Sequence, residues 1–154
     1  MSKNTIDEDQ KKEVQQDALQ IAHSLRENFA AGGAYCQDID TFRGIFRYVE
    51  RGMNRSDRQA FIILFSLFPD SNELMSPVNC GSDMSQLGKS IKNNLRINDL
   101  YSRYSSSQYL VMLCDLNESD AEMIAERISD SFYKEGTENN VILHHCFPLK
   151  PTGK

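Results

Sequence analysis

The chain has 154 residues, 40% of them hydrophobic and 25% charged, and carries a net charge of −5. That length allows one domain with a real core, and the acidic balance excludes a general nucleic-acid binder while leaving room for a small anion held by a few arginines. Cys36, Cys80, Cys114 and Cys146 are widely spaced with no CxxC pair, and no apolar run reaches membrane-spanning length, so buried free thiols in a reducing cytoplasm are expected rather than a disulfide framework, a zinc site or a membrane segment.

Residues 1 to about 31 read as a leading helix, because Val14, Ala18, Ile21, Leu25 and Phe29 recur at helical spacing. The stripe fits a helix packed on its own domain or a signalling helix that pairs with a second copy. Gly32 and Gly33 are expected to end it. After a short segment at 34–38, Asp40 is the expected N-cap of a second helix with Phe42, Ile45, Phe46, Val49 and Met53 on one face. Ala60 to Phe68 (AFIILFSLF) is a continuous apolar run. It predicts a strand buried on both faces, central in a helix-covered sheet. The stretch 69–82, with its prolines and glycine, reads as loop.

Asp83 with Gln86 predicts a capping-box start to a third helix, whose buried face is Met84, Leu87, Ile91 and Leu95. From Arg96 to Leu113 the sequence RINDLYSRYSSSQYLVML predicts a β-hairpin. Its strands are placed near Asp99–Tyr104 and from Tyr109 to Asp115, with a four-residue polar turn at Ser105–Gln108. Ser119 with Glu122 predicts a second capping box, followed by the stripe Ala121, Ile124, Ala125, Ile128 and Phe132 and a stop at Gly136. Val141 to Phe147 is the last predicted strand, ended by Pro148. His144 and His145 are adjacent in it, so they face opposite sides and are poorly placed to share a metal. No cysteine has a base partner that would make it a nucleophile. The element order predicts an α/β sandwich with a mixed sheet and helices on its faces.

The hairpin resembles the signature hairpin of GGDEF domains, the bacterial diguanylate cyclase family that makes cyclic di-GMP from GTP. The family pattern is RxxD, a short run ending in Arg-Tyr or similar, the five-residue GGDEF turn and an apolar strand. Here the corresponding letters are Arg96-Ile97-Asn98-Asp99, then Leu100 to Tyr104, then Ser105-Ser106-Ser107-Gln108-Tyr109, then Leu110 to Leu113. The register has no gap, but the signature letters are nearly all changed. Ala125-Glu126-Arg127-Ile128 resembles the A-E-R-I that follows the family hairpin, and residues 38–47 echo the family's opening helix. The resemblance implies a ferredoxin-like nucleotide-cyclase fold: a mixed, mostly antiparallel central sheet flanked by helices, preceded by an N-terminal helix. The implied organisation is a signalling or dimerisation helix at 1–33, a GGDEF-like domain at 34–148 and a tail at 149–154.

Phosphoryl transfer between two GTP molecules needs divalent metal, which hard oxygen ligands hold. In the family an acidic pair, split between the first strand and the signature turn, supplies them. Ser107 and Gln108 stand where the turn's acids would be, and Ser105 and Ser106 replace the glycines that let substrate lie on bare backbone. The family's guanine-binding Asn is not visible after Phe68, so the first core helix is expected to be reduced. The resemblance therefore implies a pseudoenzyme with no catalytic residue, no metal ligand and no cofactor, magnesium entering only with residual cyclase activity. Arg96 and Asp99 keep the RxxD motif, and with Arg127 they resemble the family's site for cyclic di-GMP. An arginine fork can donate to guanine O6 and N7, and a carboxylate can accept from N1–H and N2–H. Beside this receptor reading stand three others. Arg96 and Asp99 could simply pair with each other. The chain could be a ligand-free interaction or dimerisation module, or an active diguanylate cyclase. A homodimer or protein partner, no nucleic acid, no membrane insertion and a bacterial cytoplasmic location complete the expectation.

Overall fold

The computed structural model describes residues 7–26, 34–53, 55, 57–69, 77–135 and 140–150, with the side chains of 77–80 left aside. The chain divides into two compact units, Met1–Gly32 and Gly33–Lys154.

The first unit is helix α1 (Glu8–Leu25). Asp7 and Gln10 close a reciprocal capping box: the Gln10 N–H donates to Asp7 Oδ1 at 2.8 Å and the Asp7 N–H to Gln10 Oε1 at 3.2 Å. Glu8 and Asp9 add negative charge where the helix dipole is positive. No residue of α1 is buried, and Val14, Ile21 and Leu25 of the expected stripe stand exposed. Phe29, Gly32 and Gly33 lie outside the described residues.

The second unit runs β1 (Tyr35–Cys36), α2 (Ile39–Gly52), β2 (Ala60–Pro69), α3 (Pro77–Asn94), β3 (Leu100–Ser105), β4 (Gln108–Cys114), α4 (Glu118–Lys134) and β5 (Asn140–Pro148). The sheet order is β1-β3-β4-β2-β5. β1 is parallel to β3 and every other pair is antiparallel. This is the mixed, mostly antiparallel helix-flanked sheet expected; β2 is an interior strand between β4 and β5, one place from the middle, which β4 holds. Alternation along β2 divides the core. Phe61, Ile63, Phe65 and Leu67 pack with Leu87 and Ile91 of α3 and Ala125, Ile128 and Phe132 of α4. Ala60 and Ile62 face the other way, toward Phe42, Ile45, Phe46, Val49 and Met53 of α2. Leu149, just past β5, is buried in that second cluster, and its N–H donates to the Ala60 carbonyl at 2.9 Å.

Several local expectations are corrected. Strand β1 lies in the short segment 34–38; two residues are too few to show a period, and its partner β3 is about 65 residues away. The N-cap of α2 is Asp38, whose Oδ1 accepts from the Thr41 N–H at 2.8 Å, while Asp40 pairs with Arg43 at 2.7 Å. Asn117, not Ser119, caps α4 by accepting from the Asp120 N–H at 2.8 Å. Gly136 lies outside the described residues. Helix α3 begins at Pro77, so residues 77–82 are helix rather than loop and the first core helix is not reduced to a start at Asp83. Proline suits a first helical position, where its missing N–H is not needed. Asp83 is buried inside α3, six residues past its start, and accepts from Asn140 Nδ2. Three cysteines are less buried than expected: Cys36 is exposed on the edge strand, and Cys114 and Cys146 are half-buried, all as free thiols, while the Cys80 side chain lies outside the described residues.

Candidate functional site

The hairpin turn is tighter than four residues. Ser105 pairs directly with Gln108, leaving Ser106 and Ser107 as the turn, with a bulge at Tyr104. The register between β2 and β4 sets Ser66 opposite Gln108. Gln108 Nε2 donates to Ser66 Oγ at 3.1 Å, and Ser105 Oγ donates to Gln108 Oε1 at 2.9 Å. Ser105 Oγ also accepts from the Ser107 N–H at 3.3 Å. Outside the turn, Arg103 grips two carbonyls, with Nε to Ser105 O at 3.2 Å and Nη2 to Ser106 O at 3.3 Å. The bend is thus held by a chain of neutral side chains running from β4 onto β2. Sequence reasoning passed over Ser66; its signal was that it is the one polar residue inside AFIILFSLF.

Tyr109 follows the turn and is buried against α3, where burial raises its phenol above the ordinary value. Gly88 makes room for it, since a Cβ there would lie 2.7 Å from the Tyr109 hydroxyl.

At the opposite end of β3, Arg96 and Asp99 close a small ring. The Arg96 N–H donates to Asp99 Oδ2 at 2.8 Å and the Asp99 N–H to Arg96 O at 3.0 Å. Arg96 Nε also stands 3.6 Å from that carboxylate oxygen. The pair is unequal: the Arg96 side chain is 59% exposed and that of Asp99 only 1%. Asp99 Oδ1 has no hydrogen-bond partner among the described residues. Arg127, on α4, donates from Nη2 to Asn94 O at 3.2 Å. The three residues singled out in the sequence therefore gather at the C-terminal end of α3, where cations are favoured by the helix dipole.

His144 and His145 do face opposite sides of β5. His144 Nε2 stands 3.2 Å from Glu122 Oε1 of α4, whereas His145 stacks on Phe147 with ring centroids 6.2 Å apart. Burial, with Glu122 nearby, pushes the Cys146 thiol up to about 12, so it holds its proton at neutral pH. Among the described residues no three histidine, cysteine or acidic side chains come together as a metal-binding set, and no helix is long and apolar enough to cross a membrane.

The fold is that of GGDEF domains, the class to which diguanylate cyclases belong. A diguanylate cyclase protein from Thermotoga maritima superposes with a TM-score of 0.62 at 18% identity, over 77% of this chain and 86% of that one. The GGDEF domain of DgcB from Caulobacter crescentus, solved with cyclic di-GMP, gives 0.60 at 9% identity, over 82% and 80%. Diguanylate cyclase SiaD from Pseudomonas aeruginosa, solved with its activator SiaC, gives 0.60 at 13% identity, and the match spans 95% of this chain but 58% of that one. At these identities the likeness is one of fold. No family model matches the sequence, and no curated protein matches it.

Proposed function

We propose that this chain is a GGDEF-like regulatory module of the bacterial cytoplasm that recognises cyclic di-GMP at the Arg96–Asp99 turn and does not turn over GTP. The observation that carries the reading is the convergence of Arg96 and Arg127 on one end of α3. Each guanidinium can donate a bidentate pair to guanine O6 and N7 or to a phosphate. Asp99 holds Arg96 by backbone and side chain, and its unpartnered Oδ1 becomes an acceptor for guanine N–H groups when the turn loosens. Against turnover stands the Ser66–Gln108–Ser105 chain. These side chains satisfy one another and bring no charge to where the resemblance puts metal-holding acids.

Calorimetry with cyclic di-GMP tests the reading. Binding should fall at least about tenfold in Arg96→Ala, which removes a charged donor pair, and should weaken in Arg127→Ala. GTP with magnesium or manganese should give no cyclic product. No binding by the unsubstituted protein removes the receptor reading, and binding that ignores both substitutions moves the ligand elsewhere.

A second reading, an association module, is favoured by α1. Val14, Ile21 and Leu25 are all exposed along one face of it, an apolar stripe suited to a second helix from another copy or a partner protein. Light scattering should report more than one protomer for the native chain and one for Ile21→Glu with Leu25→Glu. Equal masses would remove this reading.

A further inference from the structure

The C-terminal end of α2 opens into a cleft of about 640 Å³ that belongs to none of the residues discussed so far as ligand-binding. Its lining includes Tyr48 and Arg51 of α2, Arg55 and Arg58 of the segment that follows, and Gln59. Tyr48 and Arg51 are three residues apart and so share a helix face. The chain then turns back on itself, the Arg55 N–H donating to Gly52 O at 3.1 Å, which brings Arg55 under the helix end. Arg58 is fixed from behind by a two-pronged ion pair with Asp115, Nε to Oδ1 at 2.7 Å and Nη2 to Oδ2 at 2.9 Å. Asp115 reaches it from a left-handed backbone, φ 63°, a conformation that aspartate tolerates better than most residues.

Three arginines therefore line one cavity in a protein whose net charge is −5. Asp115 answers Arg58, but the guanidinium groups of Arg51 and Arg55 have no ion pair among the described residues. The end of α2 adds about half a negative charge from its carbonyls, too little to offset two unanswered cations. Arginine forks match phosphate oxygens two at a time. Tyr48 lines the same cleft and is 79% exposed, so its ring is accessible to a planar partner. The volume lies within the range of small-molecule sites.

We propose that this cleft binds a nucleoside diphosphate, with Arg51 and Arg55 on the phosphates, Arg58 as the fixed wall and Tyr48 stacked on the base. Base stacking on an aromatic ring tolerates any base, so ADP serves as the probe, with adenosine and pyrophosphate as its two halves. Titration of the full chain at low ionic strength should show ADP binding more tightly than pyrophosphate, and adenosine not at all. Arg51→Gln with Arg55→Gln should weaken ADP at least about tenfold, since two charge-assisted forks are lost. Tyr48→Ala should weaken ADP and leave pyrophosphate unchanged. Arg51→Lys with Arg55→Lys keeps the charge and should retain part of the affinity, which separates phosphate binding from a folding defect. No heat with ADP, or equal binding by the double glutamine variant, overturns the proposal. Loss of ADP binding in Arg96→Ala, with the cleft intact, places the ligand at the Arg96 turn and overturns it equally. An unchanged ADP affinity in Tyr48→Ala overturns the stacked pose.

Discussion

Asp99 and Asp115 are two carboxylates with opposite surroundings, and they make opposite predictions. Asp99 is enclosed, and its Oδ2 accepts from the Arg96 N–H. Asp99→Ala removes a buried, charge-assisted acceptor, so urea unfolding should show a loss of about 1.5–3 kcal/mol. A change near zero would mean that the 96–99 ring contributes little to the fold. Asp115 is exposed, and the hydrogen bond from Arg58 lowers its carboxyl below the ordinary 3.8. A folded-state value below the unfolded one means that the stabilisation is present in full above about pH 4 and disappears as pH falls through the lowered value. Asp115→Asn keeps the left-handed backbone acceptable. Its melting temperature should lie below that of the native protein near neutral pH, and the gap should narrow as pH falls below about 4. A gap independent of pH would point to packing rather than charge.

At the scale of elements, the hairpin shows what one register does. Because Ser66 and Gln108 are paired across β2 and β4, replacing both by acids puts two like charges about 5 Å apart at their backbones. Ser66→Asp with Gln108→Glu should lower the melting temperature, and manganese should restore it, since two adjacent carboxylates make a cation site. The native protein should not respond to manganese. An equal response in both would show that the neutral chain is not what occupies this corner. Elements with long, strongly patterned stretches were readable: β2 from its apolar run, α4 from Ala121, Ala125, Ile128 and Phe132, all fully buried. The RxxD and A-E-R-I letters single out Arg96, Asp99 and Arg127, which all lie near the end of α3: the Arg96 N–H donates to Asp99, and Arg127 donates to the Asn94 carbonyl. Helix starts were less readable, because Asp38 and Asp40, or Asn117 and Ser119, are equally good capping residues and only backbone geometry chooses between them. The α2 cleft was not readable, since Arg51, Arg55 and Arg58 look like an ordinary solvated run until the chain bends after Gly52.

On the scale of the whole molecule, the core resides in Gly33–Lys154, and α1 contributes no buried residue. Removing residues 1–32 should therefore shift the melting temperature by less than about 2 °C, the equivalent of under about half a kcal/mol for a domain of this size. A larger drop would mean that α1 carries stability through association, and it should then depend on protein concentration.

The pairing of β2 with β5 also has a consequence for biosynthesis. Val141, which pairs with Phe68, follows it by about seventy residues. At roughly 5–20 residues per second, a ribosome takes about 4–14 s to make that interval. Throughout it, the most apolar segment of the nascent chain has one flank without its final neighbour. Release before β5 emerges would leave an open template for other chains, so premature termination after α4 should yield aggregates rather than a smaller folded protein.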